Sequence, residues 1–284
     1  MNFKDFVNIK DISFFGLRRS GNHAIQNWII RQNNSSFVHL NDVKLYSNKN
    51  PYKSFSKATI SGINPLVYHK NIIKYKRYLR YLNNPKYEYK YGRNVLELDR
   101  ERLRYYRTKS LIMHTYEHYS LSQVMGDWFE NQRDKFLGKS KERFDILLLR
   151  DPFNLFASLI HRGEELNNTN YIIEKWLEHA REYYGITNYL KYRISINYNQ
   201  WFINQDYRNK IAKSLNLAFT DAGINSVVNV GKGSSFDGTS YDGKASKMPV
   251  LYRYKDYLNH PVMLKVLSNE ELMDFSHKIF GSIL

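Results

Sequence analysis

The sequence contains no cysteine, which excludes disulfide bonds, thiolate metal sites and a cysteine nucleophile. It also lacks an apolar run of about 18 residues, so no segment is predicted to span a membrane. The first ten residues carry charges and no apolar stretch, and we therefore expect neither a signal peptide nor a membrane anchor. These absences fit a reducing compartment, and the expected location is the cytoplasm.

Acidic residues are scarce, because 27 Asp and Glu stand against 43 Lys and Arg and give a formal net charge of +16. Such a surplus attracts anions, including nucleic acids, charged polysaccharides and phosphorylated cofactors, without choosing among them. The 284 residues are enough for a substantial core, and no repeat or convincing boundary divides them. We predict a single domain over residues 1–284, with a basic, tyrosine-rich insertion at residues 65–109.

Short apolar runs alternate with segments of helical periodicity along most of the chain. Strands are predicted at residues 12–15, 111–113, 144–149 and 194–198, and helices begin near residues 22, 120 and 152. This alternation implies right-handed βαβ units and an α/β fold, a three-layer sandwich around a central parallel sheet. Ligands of such sheets bind beyond the carboxyl ends of the strands.

A glycine-bounded loop, GLRRSGNH at residues 16–23, connects the first strand to the first helix. Unpaired N–H groups at the start of a helix attract an anion, and two adjacent arginines strengthen that attraction. The spacing of Gly16 and Gly21 matches the first part of a P-loop. Asn22 and His23, however, replace the Lys-[Ser/Thr] pair with which nucleoside triphosphatases bind phosphate and Mg²⁺. The loop therefore predicts an anion site that needs no metal.

These residues resemble the loop of the PAPS-dependent sulfotransferases, which use 3′-phosphoadenosine 5′-phosphosulfate (PAPS) as donor. The family opens with a strand, a Pro-Lys-Ser-Gly-Thr-Thr loop and a helix, and RSGNH at residues 19–23 is similar to its Lys-Ser-Gly-Thr-Thr. The arginine keeps the positive charge, but both hydroxyls are lost. A second family motif, an Arg at a strand end and a Ser eight residues later that hold the 3′-phosphate together, is matched by Arg150 and Ser158.

Two looser similarities complete the resemblance. Tyr198 ends a predicted strand, as a tyrosine near the nucleotide often does in the family. The sequence GKGSSF at residues 231–236 resembles the late glycine-rich, basic loop that folds over the nucleotide phosphates. The nucleotide-binding residues implied by the resemblance are Arg18, Arg19, Ser20, Gly21, Asn22, His23, Arg150, Ser158, Tyr198, Lys232, Gly233 and Ser234.

The resemblance implies transfer of a sulfuryl group from PAPS to a hydroxyl or amine, with 3′-phosphoadenosine 5′-phosphate (PAP) as product and no metal. Arg19 would stabilise the leaving phosphate. The family places its base, His or Glu, just after the strand that precedes the Arg150 strand. Tyr116 falls on the family's His in the simplest alignment, so we predict Glu117 as the base and His114 as the second candidate, with His118 weaker still.

Two other functions stay open from the sequence. A P-loop kinase-like phosphotransferase fits the glycine spacing, although the Lys-[Ser/Thr] pair is missing. A nucleic-acid-binding protein fits the charge and the tyrosines interleaved with basic residues, but no nucleic-acid motif is present and we do not favour it. We expect residues 65–109 to form the acceptor cleft, for a small molecule or a carbohydrate.

Overall fold

The structure, a computed structural model, describes residues 8–33, 35–43, 51–53, 55–61, 87–90, 109–117, 119–164, 168–229 and 233–284. Most of the basic, tyrosine-rich segment 65–109, together with His118 and Lys232, lies outside these ranges. Seven strands in the described residues form one sheet in the order β4-β3-β2-β5-β1-β6-β7. They are β1 Asn8–Gly16, β2 Phe37–Val43, β3 Phe55–Ser61, β4 Tyr87–Lys90, β5 Lys109–Tyr116, β6 Ser140–Leu149 and β7 Arg193–Asn197.

In the described residues, helices lie between the strands and after the last of them. They are α1 Asn22–Gln32, α2 Leu121–Val124, α3 Asp127–Leu137, α4 Pro152–Arg162, α5 Thr169–Tyr184, α6 Tyr198–Ile203, α7 Gln205–Ser214, α8 Pro261–Leu267 and α9 Glu270–Phe280. Short 3₁₀ helices lie at Pro51–Lys53, Ala245–Lys247 and Arg253–Tyr257. No helix in the described ranges is both long enough and apolar enough to cross a bilayer. Five strands are parallel and helices flank the sheet, which confirms the predicted α/β class.

The chain divides into two compact units. The first comprises residues 1–15 and 33–145, and in it β5 pairs in parallel with both β1 and β2, while β3 and β4 add antiparallel strands at the edge. Its buried core includes Ile12, Phe14 and Met113. The antiparallel edge was not predicted, because the lysine- and tyrosine-rich sequence around it has no clear period.

The second unit comprises residues 16–32 and 146–284. Its hydrophobic core joins α4, α5, α8 and α9 around the fully buried ring of Trp176. Helix α4 begins as the sequence predicts: Asp151 accepts a hydrogen bond from the Asn154 N–H at 2.8 Å, and Pro152 is the first helical residue. The helix ends at Gly163, whose φ of 65° is left-handed.

Three predicted boundaries are wrong. Strand β5 continues to Tyr116, because its polar residues are buried and hydrogen-bonded inside the first unit. The helix expected from residue 120 is broken at Gly126, which is extended and caps α3. Tyr198 does not end a strand. It begins α6, because the Asn197 side chain accepts a hydrogen bond from the Gln200 N–H at 3.1 Å and caps that helix.

Candidate functional site

The loop between β1 and α1 is built from unusual backbone conformations. Gly21 has a φ of 89°, and a Cβ at this position would lie 2.1 Å from the Tyr198 ring. Arg19 adopts a left-handed φ of 67°, which is uncommon for a residue with a side chain. The Asn22 side-chain amide donates to the carbonyls of Gly16 and Leu17, at 3.3 and 3.1 Å. The nitrogen of Asn22, expected to serve the nucleotide, thus closes the loop.

The other predicted residues of this loop differ in exposure. Ser20 is buried at the end of the loop, where its N–H donates to the Leu17 carbonyl at 3.1 Å. His23 is half-buried on the first turn of α1, and Arg18 is exposed. As in any helix, the N–H groups of the first turn of α1 have no carbonyl of the helix itself to bond.

The structure brings Arg150 to this loop, although 131 residues separate it from Arg19. Arg150 Nη1 donates to the Arg19 carbonyl at 2.9 Å, and Nη2 donates to the Val250 carbonyl at 2.8 Å. The Arg150 carbonyl accepts from the indole N–H of Trp176 at 2.9 Å, which fixes the backbone. Arg150 Nε is buried and has no hydrogen-bond partner among the described residues.

Ser158 lies on the helix that starts next to Arg150, and the late loop reaches it. Ser158 Oγ is 2.8 Å from Ser235 Oγ. Gly233 has a φ of 80°, and a Cβ there would lie 2.3 Å from the Gly238 carbonyl oxygen. Ser234 pairs with Gly238 through two backbone hydrogen bonds, so residues 234–238 form a tight turn. The late loop therefore carries a hydroxyl to the Ser158 side chain, with Ser235 rather than the predicted Ser234 in contact.

Arg253, which was not predicted from the sequence, contacts the late loop that reaches Ser158. Its Nη2 contacts Asp237 and donates to Ser234 Oγ at 3.2 Å, and its guanidinium lies 4.5 Å from the centre of the Phe236 ring. Burial, followed by the positive charge of Arg150, lowers the pKa of Arg253. No motif spacing marks this residue, so no signal in the sequence could have identified it.

Tyr198 connects these parts of the second unit. Its ring packs against Gly21, and the Arg150 guanidinium lies 5.0 Å from the ring centre, a cation–π distance. Burial raises the pKa of the Tyr198 hydroxyl, so it stays protonated at neutral pH. Tyr198 thus lies beside the loop and Arg150, at the start of a helix.

The candidate bases belong to the first unit. His114 is fully buried, with Nδ1 2.7 Å from the Tyr116 hydroxyl and Nε2 2.8 Å from Asp11 Oδ1. Asp11 Oδ2 also accepts from Arg133 Nε at 2.9 Å. Burial lowers the pKa of His114, so the imidazole is neutral at neutral pH. Glu117 follows the end of β5 and is half-buried.

No family model and no curated protein sequence matches the chain. In fold, it is similar to mouse sulfotransferase SULT7A1 complexed with PAP, with a TM-score of 0.46 and 13% identity over 98% of this chain and 86% of that chain. It is also similar to the sulfotransferase domain of the Synechococcus PCC 7002 olefin synthase, with a TM-score of 0.44 and 11% identity over 98% of this chain and 96% of that chain. A third similar structure is the sulfotransferase domain from the curacin biosynthetic pathway, with a TM-score of 0.42 and 12% identity over 95% of this chain and 97% of that chain. With TM-scores below 0.5, these similarities do not indicate which residues of this chain act.

Proposed function

We propose that the chain is a sulfotransferase that binds PAPS through its second unit and transfers the sulfuryl group to a hydroxyl or amine. One observation carries the proposal: the Arg150 guanidinium is hydrogen-bonded to the backbone of the Arg19 loop. The two sequence motifs that resemble the family therefore contribute to one site. Ser158, eight residues after Arg150, meets the late loop at Ser235, as a shared 3′-phosphate site requires.

The residues present fit a dianionic phosphate. Arg150 Nε is a buried donor without a described partner, and such donors are costly unless a ligand satisfies them. Burial, and after it the like charge of Arg150, lowers the pKa of Arg253, because the two buried cations repel each other. A phosphate would relieve this repulsion, and the hydroxyls of Ser158 and Ser235 add two further hydrogen-bonding groups.

The Arg19 loop fits the opposite end of the donor. In sulfuryl transfer the bond from sulfur to the bridging oxygen breaks, a bond from sulfur to the acceptor forms, and charge develops on the leaving phosphate. The N–H groups at the start of α1 and the Arg19 guanidinium would stabilise that charge. Positioning and electrostatics supply most of the catalysis in such transfers.

The acceptor must lose a proton, and we assign that role to Glu117. His114 is the second candidate, but both of its ring nitrogens are already hydrogen-bonded inside the first unit. The imidazole would have to break one of these contacts before it could take a proton from an acceptor. The buried imidazole has a structural role, because it connects Asp11 to the Tyr116 hydroxyl.

Calorimetric titration with PAP tests the proposal. We expect wild type to bind PAP and Arg150→Ala to lose affinity by about 30-fold or more, because removal of one buried charged partner typically costs 2–5 kcal/mol. Arg181→Ala is the matched control, since Arg181 pairs with Glu271 on the surface of the second unit. Absence of PAP binding by wild type would refute the proposal, and salt-dependent binding of oligonucleotides alone would favour a nucleic-acid-binding protein instead.

A chelator separates sulfuryl transfer from the kinase-like alternative. A P-loop kinase needs Mg²⁺ and a lysine after its second glycine, whereas here Asn22 follows Gly21 and donates to the loop carbonyls. We expect transfer of labelled sulfate from PAPS to persist in excess EDTA. Transfer from ATP that EDTA abolishes would overturn the assignment.

We further propose that the basic segment 65–109 binds the acceptor. Its sequence alternates tyrosines with lysines and arginines, and aromatic rings stack on sugars. Charge reversal within the segment should raise the KM for an acceptor found by screening and leave PAP affinity unchanged. Unchanged acceptor kinetics would contradict this role. The substitutions to combine are Arg77→Glu, Arg80→Glu and Arg104→Glu.

A further inference from the structure

The carboxylate of Glu164 lies among three guanidinium groups. Its two oxygens accept hydrogen bonds from Arg19, one from Nη2 and one from Nε at 3.4 Å. Arg18 Nη1 lies 3.7 Å from Oε2, and Arg162 Nε lies 3.9 Å from Oε1. One negative charge therefore faces three positive charges at the loop that we assign to the donor.

The end of α4 fixes the position of this carboxylate. The Gly163 N–H donates to the Ile160 carbonyl at 2.9 Å, and the Glu164 N–H donates to the Leu159 carbonyl at 3.2 Å. With Gly163 in the left-handed conformation, this is the pattern of a Schellman motif. Glu164 is thus held by the same helix that carries Ser158 and begins beside Arg150.

Glu164 is ionised at neutral pH. Its partial burial opposes ionisation, but the hydrogen bond and charge of Arg19, followed by the charges of Arg18 and Arg162, outweigh burial and lower the pKa of Glu164. A carboxylate that accepts from both Nε and Nη2 of one guanidinium presents two oxygens in the same way as a phosphate. Glu164 therefore uses donors of Arg19 that a phosphate would also use.

We propose that Glu164 is an internal competitor for the anion that Arg19 binds. It occupies the Arg19 guanidinium until the phosphosulfate end of the donor displaces it, and so it limits the affinity for nucleotide. This inference rests on the proposed function in one respect, namely that the displacing anion belongs to PAPS or PAP. Displacement leaves the Arg18 and Arg162 charges beside Glu164, so the carboxylate remains partly compensated.

A similar pairing exists at the other phosphate end. Arg253 Nη2 contacts the Asp237 carboxylate, which also accepts from Ser234 Oγ at 3.0 Å. Two arginines assigned to the nucleotide, Arg19 and Arg253, thus each meet a carboxylate of the chain itself. Asp237 also shapes the turn at residues 234–238, so its replacement would change the backbone as well as the charge. Glu164 is for this reason the better residue to test.

The competition predicts tighter binding when the charge of Glu164 is removed. For Glu164→Gln we expect PAP affinity to rise roughly threefold to tenfold at pH 7.5, a modest gain because the pair is partly exposed to solvent. Loss of Arg19 as partner and arrival of a phosphate should raise the pKa of Glu164 in the complex. A glutamate is almost fully ionised at pH 7.5, so wild type should take up no measurable proton at that pH. As the pH falls towards about 4–5, wild type should take up more protons on binding than Glu164→Gln, and the affinity difference between the two should shrink.

Calorimetry with PAP, in two buffers of different ionisation enthalpy, measures affinity and proton uptake together. The matched control is Glu174→Gln, an exposed residue of α5 with the same change of charge, which should behave as wild type. Glu164→Ala is a second variant that should shift affinity in the same direction, and thermal unfolding checks that each variant folds. Equal or weaker PAP binding by both Glu164 variants would overturn the inference and indicate that Glu164 instead positions Arg19.

Inorganic pyrophosphate distinguishes this inference from the proposed function. If wild type and both variants fail to bind PAP, the sulfotransferase assignment fails. Tighter pyrophosphate binding by Glu164→Gln than by wild type would still uphold Glu164 as a competitor at an anion site. If PAP does not bind and Glu164→Gln binds pyrophosphate no more tightly than wild type does, both the sulfotransferase assignment and the competitor role of Glu164 are refuted.

Discussion

Substitution of Gly21 by alanine tests whether the loop needs a close approach of backbone and ring. A Cβ at Gly21 would lie 2.1 Å from Cε2 of Tyr198, whereas ordinary contact begins near 3.4 Å, so the ring would have to move by about 1.3 Å. The left-handed φ of 89° adds about 1–2 kcal/mol for any residue with a Cβ. Overpacking of a buried ring adds about 1–3 kcal/mol. We therefore expect Gly21→Ala to lower the free energy of unfolding by about 2–5 kcal/mol.

Two comparisons separate these contributions. Gly243 has a similar φ of 84°, and a Cβ added there would meet no atom within 4 Å, so Gly243→Ala should cost only the conformational part, about 1–2 kcal/mol. In a Tyr198→Ala background the steric part of Gly21→Ala should likewise disappear. Urea unfolding of the four proteins of this double-mutant cycle gives the coupling energy. A coupling energy below about 0.5 kcal/mol would refute the claim that the Tyr198 ring leaves no room for a Cβ at position 21.

Two further changes probe buried polar groups. Trp176→Phe removes the donor to the Arg150 carbonyl, so we expect the free energy of unfolding to fall by about 2–4 kcal/mol. PAP affinity should fall as well, because the backbone of Arg150 is no longer held. Unchanged PAP affinity in calorimetry would contradict this connection between Trp176 and Arg150. Burial opposes ionisation of Asp11, but Arg133 and His114 outweigh burial and hold the pKa of Asp11 below its ordinary value. The ionised Asp11 therefore stabilises the folded protein above about pH 4, and this contribution to the free energy of unfolding is lost as the pH falls. Asp11→Asn should therefore cost about 3 kcal/mol at pH 7, because Arg133 loses the charge of one of its buried partners while Asp145 and Glu130 remain. Urea unfolding should find the difference from wild type smaller at pH 3.

Local signals account for the parts of the site that the sequence predicted. The glycine spacing of residues 16–21 marks a strand–loop–helix unit, because left-handed backbone and close packing both demand glycine at Gly21. Asp151 and Pro152 mark the start of α4, because capping chemistry acts within a few residues. The spacing from Arg150 to Ser158 was recognised through the family resemblance, and the two residues lie at one strand–helix junction.

The parts that the sequence did not predict depend on contacts between distant residues. Arg253 and Asp237 are 16 residues apart, and Arg19 and Glu164 are 145 apart, so no periodicity connects them. In the sequence they look like ordinary solvated charges of a basic protein. Strand β5 was predicted too short, because His114 looks like the end of an apolar run until the fold supplies its hydrogen-bond partners.

Helix α4 sets the spacing of three groups at the candidate site: Arg150 just before it, Ser158 within it and Glu164 just after it. An α-helix advances by 1.5 Å and turns by about 100° with each residue. Insertion or deletion of a single residue before Ser158 would rotate the rest of α4 by that angle relative to its first turn. The relative positions of the three groups therefore depend on the length of this helix. Insertions and deletions in related sequences should be found in the loops rather than between Pro152 and Arg162.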